Sequence, residues 1–88
     1  MTLQELARLC LRKSPEAIFP TTEHCGNAWR ATIAVSFTHG REGGDNFLYG
    51  HLHKRHVAQA DALSEAEATA KRFKDPLLLL GHATGNAP

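Results

Sequence analysis

The stretch at positions 29–37, WRATIAVSF, constrains the fold of this chain more than any other feature, because apolar residues fall at every second position. Alternate residues of a β-strand lie on the same face, so the pattern predicts a strand buried on one face of an antiparallel sheet. The residues predicted to face the core are Trp29, Ala31, Ile33, Val35 and Phe37.

Neighbouring segments supply candidate partner strands. The glycine-rich stretch HGREGGDN at 39–46 is typical of a hairpin loop, and FLYGHLH at 47–53 then returns as the partner strand. Residues 16–27 are predicted to be irregular, with IFP at 18–20 as a short edge strand. A weaker extended piece is predicted within HVAQADA at 56–62.

Helices are predicted near both ends of the chain. Thr2 and Glu5 have capping-box spacing, and apolar residues at helical spacing follow over 3–10. Ser64 and Glu67 repeat the capping-box spacing and predict the start of the last clear helix. The apolar stripe predicted for that helix is Leu63, Ala66, Ala70 and Phe73.

The pair Asp75-Pro76 is predicted to stop this last helix, because a residue that precedes proline disfavours the helical conformation. The run LLLL at 77–80 is then predicted to pack as a short closing segment. Residues 82–88 are predicted to form a frayed tail.

Length and composition indicate one small globular domain over residues 1–88. The chain is 42% hydrophobic and 22% charged, and its formal net charge is +1. These values give no global attraction to nucleic acid or to an anionic membrane. We therefore predict an α+β fold, a small antiparallel sheet of about three strands with an N-terminal and a C-terminal helix packed on one face.

The order of these elements is similar to that of double-stranded-RNA-binding domains, which fold as α-β-β-β-α. The likeness is topological and runs from Thr2 to about Phe73. In that family a lysine-rich motif at the start of the final helix grips phosphates. Here the matching stretch is ALSEAEATAKRF at 62–73, with Glu65 and Glu67 where the family has lysines. The resemblance implies the fold and an alternative function in nucleic-acid binding, whereas these acids would repel phosphate.

A dense group of histidines and cations, GHLHKRH, occupies positions 50–56. If Leu48, Gly50 and Leu52 face the core, the residues between them lie on the open face of the sheet. A shift of one residue would reverse both sets, and the sequence leaves the two registers open. The first register presents a candidate partner-binding row: Arg30, Tyr49, His51, His53, Lys54 and Arg55.

The histidines at His51 and His53 also form an HxH pair, which on a strand directs two imidazoles to one side. His56 is a third candidate ligand. A structural zinc site needs four ligands and a catalytic site three plus water, and no second ligand pair has a recognisable spacing. A zinc-stabilised domain is therefore an alternative, and the prediction itself is that the protein uses no metal or cofactor.

No sequence pattern predicts an enzyme. His24-Cys25 lacks a third residue that would orient a nucleophile and base, and GREGG at 40–44 lacks the lysine of a phosphate-binding loop. We predict a non-enzymatic module that binds a protein or protein complex. Small chains of this kind include phage and mobile-element inhibitors of host defence, such as anti-CRISPR proteins.

The sequence also bears on location and assembly. The charged residues Glu5, Arg8 and Arg12 interrupt the apolar N-terminal stretch, which is unlike a secretory signal. The apolar run at 77–80 is too short to span a bilayer, so a cytoplasmic protein without a membrane partner is predicted. Homodimerisation would add buried surface to so small a core.

Overall fold

The computed structural model describes residues 1–37 and 47–85, in which one helix is followed by three strands and then by two further helices. The elements are listed here in chain order: helix α1 (Leu3–Arg12), strands β1 (Ala17–Cys25), β2 (Ala28–Ser36) and β3 (Phe47–His51), and helices α2 (Gln59–Phe73) and α3 (Pro76–Thr84). The glycine-rich loop predicted at 39–46 lies outside the described residues.

All three strands pair in one antiparallel sheet with β2 at its centre, in the order β1-β2-β3. The predicted core residues Ala31, Ile33 and Val35 of β2 are completely inaccessible to solvent. Helix α2 packs across β1 and β2, α1 packs against β3, and α3 packs mainly against α1. The predicted α+β class, with helices on one face of a three-stranded sheet, is thereby confirmed.

The register of β3 is the first of the two that the sequence allowed. Leu48 pairs with Val35 and Gly50 with Ile33, on the face that the helices cover. Gly50 is needed here because a side chain would collide with α1: a Cβ atom at this position would lie 2.8 Å from Leu6 Cδ2. The close approach of α1 to β3 therefore depends on the missing side chain.

Helix α1 begins as the sequence predicts. The Thr2 hydroxyl accepts a hydrogen bond from the Glu5 backbone N–H at 3.1 Å, and the Glu5 carboxylate accepts from the Thr2 backbone N–H at 3.3 Å. These reciprocal bonds satisfy backbone donors that the first helical turn leaves free. The inward side of the helix carries Leu6, Ala7 and Cys10.

Helix α2 begins earlier than predicted, at Gln59, so the capping box at Ser64 and Glu67 is wrong. Ala58 occupies the N-cap position and makes no side-chain capping bond. Two backbone hydrogen bonds of 2.7 Å between His56 and Trp29 hold the chain just ahead of the helix, so contact with β2 takes the place of a local cap.

The extended piece predicted at 56–62 is not a strand, and the structure has a single bridge there, between His56 and Trp29. The apolar stripe is right for Ala66, Ala70 and Phe73, whereas Leu63 is exposed.

Helix α3 replaces the predicted closing segment and the first part of the predicted tail. The Asp75 carboxylate accepts a hydrogen bond from the Leu77 N–H at 3.0 Å and caps the helix, and Pro76 occupies its first turn. The helix continues to Thr84, with His82 buried. Asp75-Pro76 thus ends one helix and starts another, since proline suits the first turn of a helix.

Strand β1 spans nine residues, whereas the sequence analysis predicted a short piece in an irregular segment. Pro20 lies on its free edge. Ala31 directs its carbonyl toward β3, where it accepts from the Leu52 N–H at 3.0 Å, so Ile33, two residues further on, also directs its backbone groups toward β3. Ile33 is the register partner of Pro20, so the backbone of Pro20 faces away from β2. Proline is tolerated at such a position because no sheet hydrogen bond is lost.

Candidate partner-binding site on the open sheet face

The sheet face opposite the helices, here called the open face, has small residues along its centre and large ones along its edges. The central strand contributes Thr32, Ala34 and Ser36, which are nearly inaccessible. Phe19 of β1 and Tyr49 of β3 pair with Ala34 from its two sides. The register places a bulky residue of β3 beside each of these three: His51 beside Thr32, Tyr49 beside Ala34 and Phe47 beside Ser36.

Two aromatic side chains of the open face are exposed to solvent over a large part of their surface. Phe19 is 48% exposed and Tyr49 is 47% exposed, although both lie in regular strands. The rings of Phe19 and Phe47 reach toward each other diagonally above β2, with centroids 6.1 Å apart and planes tilted by 58°. Tilted pairs at this separation are favourable, and aromatic side chains that keep one side accessible are common anchors in protein interfaces.

Toward one end of the open face, Glu23 and Arg30 form a salt bridge across β1 and β2. One Arg30 guanidinium nitrogen lies 3.0 Å and 3.1 Å from the two Glu23 carboxylate oxygens. The two residues are direct register partners, so the pair needs no distortion of the strands. The hydrogen bond from Arg30 lowers the pKa of Glu23 below its ordinary value. Glu23 is therefore ionised near neutral pH, and its charge is matched by that of Arg30.

His51 continues this polar group onto β3. Its Nδ1 atom lies 3.1 Å from the Glu23 carboxylate and 3.1 Å from the Thr32 hydroxyl. Burial and the nearby Arg30 lower the pKa of His51, while Glu23 acts in the opposite direction. His51 is thus held largely neutral near neutral pH, and its contacts fix the orientation of the ring.

These contacts do not have the geometry of a nucleophile and its base. In a hydroxyl-histidine-carboxylate triad, the hydroxyl and the acid occupy different ring nitrogens, so that a proton can pass through the imidazole. Thr32 and Glu23 instead meet the same nitrogen of His51. The arrangement orders a polar surface that can hydrogen-bond a partner.

A shallow cavity of about 480 Å³ lies over this polar group and beside Tyr49. Its walls are formed by hydroxyl, carboxylate, imidazole and phenol groups: Thr21, Thr22, Glu23, Thr32, Tyr49 and His51. The cavity volume lies within the range of about 300–1,000 Å³ that is typical of ligand pockets. The open face therefore combines an aromatic area with an adjacent polar recess.

Of the six residues predicted to bind a partner, the structure brings Arg30, Tyr49 and His51 together on the open face. Sequence reasoning missed Glu23, because it assigned residues 16–27 to an irregular segment. The alternation of Phe19, Thr21 and Glu23 was the signal available in the sequence, but Pro20 and the polar composition obscured it.

The other three predicted residues form a basic bulge beyond β3, made of His53, Lys54 and Arg55. All three side chains are exposed. Backbone hydrogen bonds to β2 hold the chain on both sides of the bulge, at Leu52 and at His56. The bulge thus presents three consecutive basic residues from an anchored position.

The candidate metal ligands His51, His53 and His56 do not converge. His56 lies on the helix-covered side, where its Nε2 atom is 2.8 Å from the Glu65 carboxylate. His51 faces Glu23 and Thr32 on the open face. Within residues 1–37 and 47–85, no group of three or more histidine, cysteine or acidic side chains is placed to hold a metal ion.

Cys10 and Cys25 are both free thiols. Burial raises the pKa of Cys10 to about 11, so this thiol is protonated and unreactive at neutral pH. Cys25 lies at the end of β1 next to Glu23, with its sulfur 3.8 Å from a carboxylate oxygen.

Comparisons with protein family models, with curated proteins and with solved structures found no match. In the part of the chain that the structure describes, no helix has both the length and the apolar character needed to cross a membrane.

Proposed function

We propose that this chain is a non-catalytic protein-binding domain that holds its partner on the open face of its sheet. The observation that carries the proposal is the exposure of Phe19 and Tyr49 on either side of Ala34. Large aromatic groups on a rigid sheet offer apolar contact area with little loss of side-chain freedom, which favours binding. The partner would pack an apolar side chain against the exposed rings of Phe19 and Tyr49 and place a hydrogen-bonding group toward Glu23.

The charges on the open face favour a protein over a nucleic acid as the partner. Glu23 and Arg30 neutralise each other, and His51 is largely neutral because its pKa is lowered. Phosphate binding depends on several cations that are available to pair with phosphates. The open face offers a matched ion pair and aromatic surface instead.

The test is affinity capture from an extract of the cell that expresses the protein, in the presence of nuclease. The bait would be compared with a Phe19→Ala/Tyr49→Ala variant and with Val57→Ala, a control that removes an exposed apolar side chain outside the three strands. We expect one stoichiometric protein to bind the unchanged chain and the control but not the double variant.

Titration calorimetry with the purified partner would then quantify the effect. Loss of an anchor residue typically costs about 2 kcal/mol or more, roughly a thirtyfold weaker complex. A partner that binds the double variant with unchanged affinity would refute the proposal. The inhibitor role predicted from size and lack of motifs stays a prediction until such a partner is identified.

The basic bulge supports a second candidate function, nucleic-acid binding by His53, Lys54 and Arg55. Backbone hydrogen bonds hold its two ends, so the charges of Lys54 and Arg55 are presented with limited freedom. This function predicts that affinity for an RNA or DNA duplex falls steeply with added salt, and that Lys54→Ala/Arg55→Ala reduces the slope. Binding that is absent at low salt, or unaffected by the substitutions, would eliminate it.

A further inference from the structure

We infer that the polar recess of the open face binds a side-chain carboxamide of the partner, with the Nε2 atom of His51 accepting a hydrogen bond from the amide N–H. The polar recess is the cavity of about 480 Å³ beside Tyr49, which His51 helps to line. Asparagine and glutamine are the residues that supply such a group. The inference rests on the proposed function, since it names the chemical group that the partner places near Glu23.

The contact with Glu23 determines which nitrogen of His51 carries the proton. The Nδ1 atom of His51 lies 3.1 Å from the Glu23 carboxylate. Glu23 is ionised near neutral pH because the hydrogen bond from Arg30 lowers its pKa, and an ionised carboxylate can only accept. Nδ1 therefore donates. A neutral imidazole carries one proton, so Nε2 is left as an acceptor.

The Nε2 atom of His51 is free to accept a hydrogen bond from a ligand. It has no hydrogen-bond partner among residues 1–37 and 47–85. The buried side-chain nitrogen and oxygen atoms that lack a partner in this part of the chain are Arg30 Nε and His82 Nε2. Nε2 of His51 is not one of them, so solvent reaches it. A group bound in the recess can therefore replace this solvent contact.

Hydroxyl groups in the same recess suit the oxygen of a carboxamide. Thr21, Thr22 and Tyr49 line the recess together with His51. The Thr22 hydroxyl already accepts a hydrogen bond from Gln59 Nε2 at 3.1 Å, which leaves its own proton free to donate. The recess thus offers both an acceptor nitrogen and hydroxyl donors. A carboxamide carries the matching donor and acceptor in one planar group.

The charges around the recess favour this neutral group over a charged one. The Glu23 carboxylate is already paired with Arg30, at 3.0 Å and 3.1 Å from its two oxygens. A bound ammonium group would therefore find no unmatched negative charge, and a bound carboxylate would face the Nε2 lone pair of His51. Removing a charged group from water costs far more than removing an amide, so the amide is preferred.

Nuclear magnetic resonance of the histidine ring nitrogens in the free chain tests the first step. Near neutral pH we expect the proton of His51 on Nδ1 and the resonance of an unprotonated nitrogen for Nε2. Glu23→Gln should shift the proton partly to Nε2, because the new amide can donate to Nδ1. The matched control is Glu65→Gln, since Glu65 contacts His56 on the helix-covered side. A proton on Nε2 of His51 in the unchanged chain would overturn the inference.

A titration with acetamide, followed through the Nε2 resonance of His51, tests the ligand class. Acetamide should shift this resonance saturably. N,N-dimethylacetamide keeps the carbonyl but has no N–H, and should leave the resonance unchanged. In Glu23→Gln, acetamide should bind roughly two- to tenfold more weakly, as expected for the loss of one hydrogen bond. Equal responses to the two amides, or tighter binding of methylammonium than of acetamide, would refute the carboxamide assignment.

Both measurements use the free chain, so their failure is distinguishable from failure of the proposed function. A proton on Nε2 overturns this inference and leaves the proposed binding through Phe19 and Tyr49 standing. A captured partner that ignores the substitution of those two residues refutes the proposed function, even when acetamide binds at His51.

Discussion

Over residues 31–36, the two faces of strand β2 are both nearly inaccessible to solvent, but they are covered in different ways. Ala31, Ile33 and Val35 are covered by helices that pack across the sheet. Thr32 and Ala34 are flanked by side chains from the two edge strands of the same sheet, among them the larger His51 and Tyr49 of β3. The first kind of burial builds the core, and the second leaves a surface that a partner can still reach. Low exposure alone therefore does not distinguish core from binding surface.

The largest expected effect comes from shortening a side chain on the covered face. Ile33→Ala removes three carbon atoms from a fully buried position, and such changes typically cost about 2–5 kcal/mol of unfolding free energy. Thr32→Ala, at the adjacent position on the open face, loses a hydrogen bond to His51 and should cost about 1 kcal/mol. Urea denaturation of both variants measures the difference. Equal losses would mean that the two faces are packed alike.

Adding a side chain on the covered face should have the next largest effect. Gly50→Ala would place a Cβ atom 2.8 Å from Leu6 Cδ2 and 3.4 Å from the Leu3 Cα atom. Leu6 is fully buried and has little room to move, so we expect a loss of about 1–3 kcal/mol. Thermal unfolding followed by circular dichroism checks this. An unchanged melting temperature would show that α1 can shift away from β3.

Lowering the pH should reduce the unfolding free energy by different amounts through the histidines on the two sides of the sheet. Burial, and then the charge of Arg72, lowers the pKa of His82 below the ordinary value of 6.5. The unfolded chain then binds this proton more readily, so the contribution of His82 to stability is complete above about pH 6.5. It is lost as the pH falls through the lowered pKa, with a slope of up to about 1.4 kcal/mol per pH unit.

We expect His82→Gln to flatten the decline in stability below pH 6.5 more than His51→Gln does. His51 is less deeply buried, and the neighbouring Glu23 partly offsets the effect of burial on its pKa. Urea midpoints measured at several pH values provide the comparison. If His82→Gln keeps the slope of the unchanged protein, the neutral form of His82 does not stabilise the core.

The smallest effect on stability is expected for Tyr49→Ala on the open face. Nearly half of the side chain is exposed, so its removal should change the unfolding free energy by less than about 1 kcal/mol. Binding of the partner should nevertheless weaken by an order of magnitude or more. A large loss of stability would place Tyr49 among the core residues and remove the contrast between the two faces.

Local signals in the sequence were sufficient for α1 and β2. The capping box at Thr2 and the alternation from Trp29 onward are determined by residues only a few positions apart, so they can be recognised without tertiary information. The start of α2 could not be recognised in this way, because the bridge between His56 and Trp29 fixes it. Ser64 and Glu67 have the spacing of a capping box but lie in the middle of that helix, because tertiary contacts rather than this local pattern determine where the helix starts.

The candidate site was predictable only in part for a similar reason. Tyr49 and His51 were found because the alternation of β3 left two registers, one of which exposes them. Glu23 is recognised as part of the site only when β1 is aligned with β2, since its role depends on the opposing Arg30. Which residues of two strands lie opposite each other cannot be recognised from either strand alone.

Pro20 has a consequence for how this protein can assemble. An unpaired outer strand offers a row of donors and acceptors on which further strands can add, and such growth leads to fibrils. At the middle of the β1 edge, proline provides no donor, so an incoming strand would meet a gap in its ladder. The addition of further strands along that edge is therefore unfavourable. Association through side-chain surfaces is favoured instead, and such surfaces can select a specific partner.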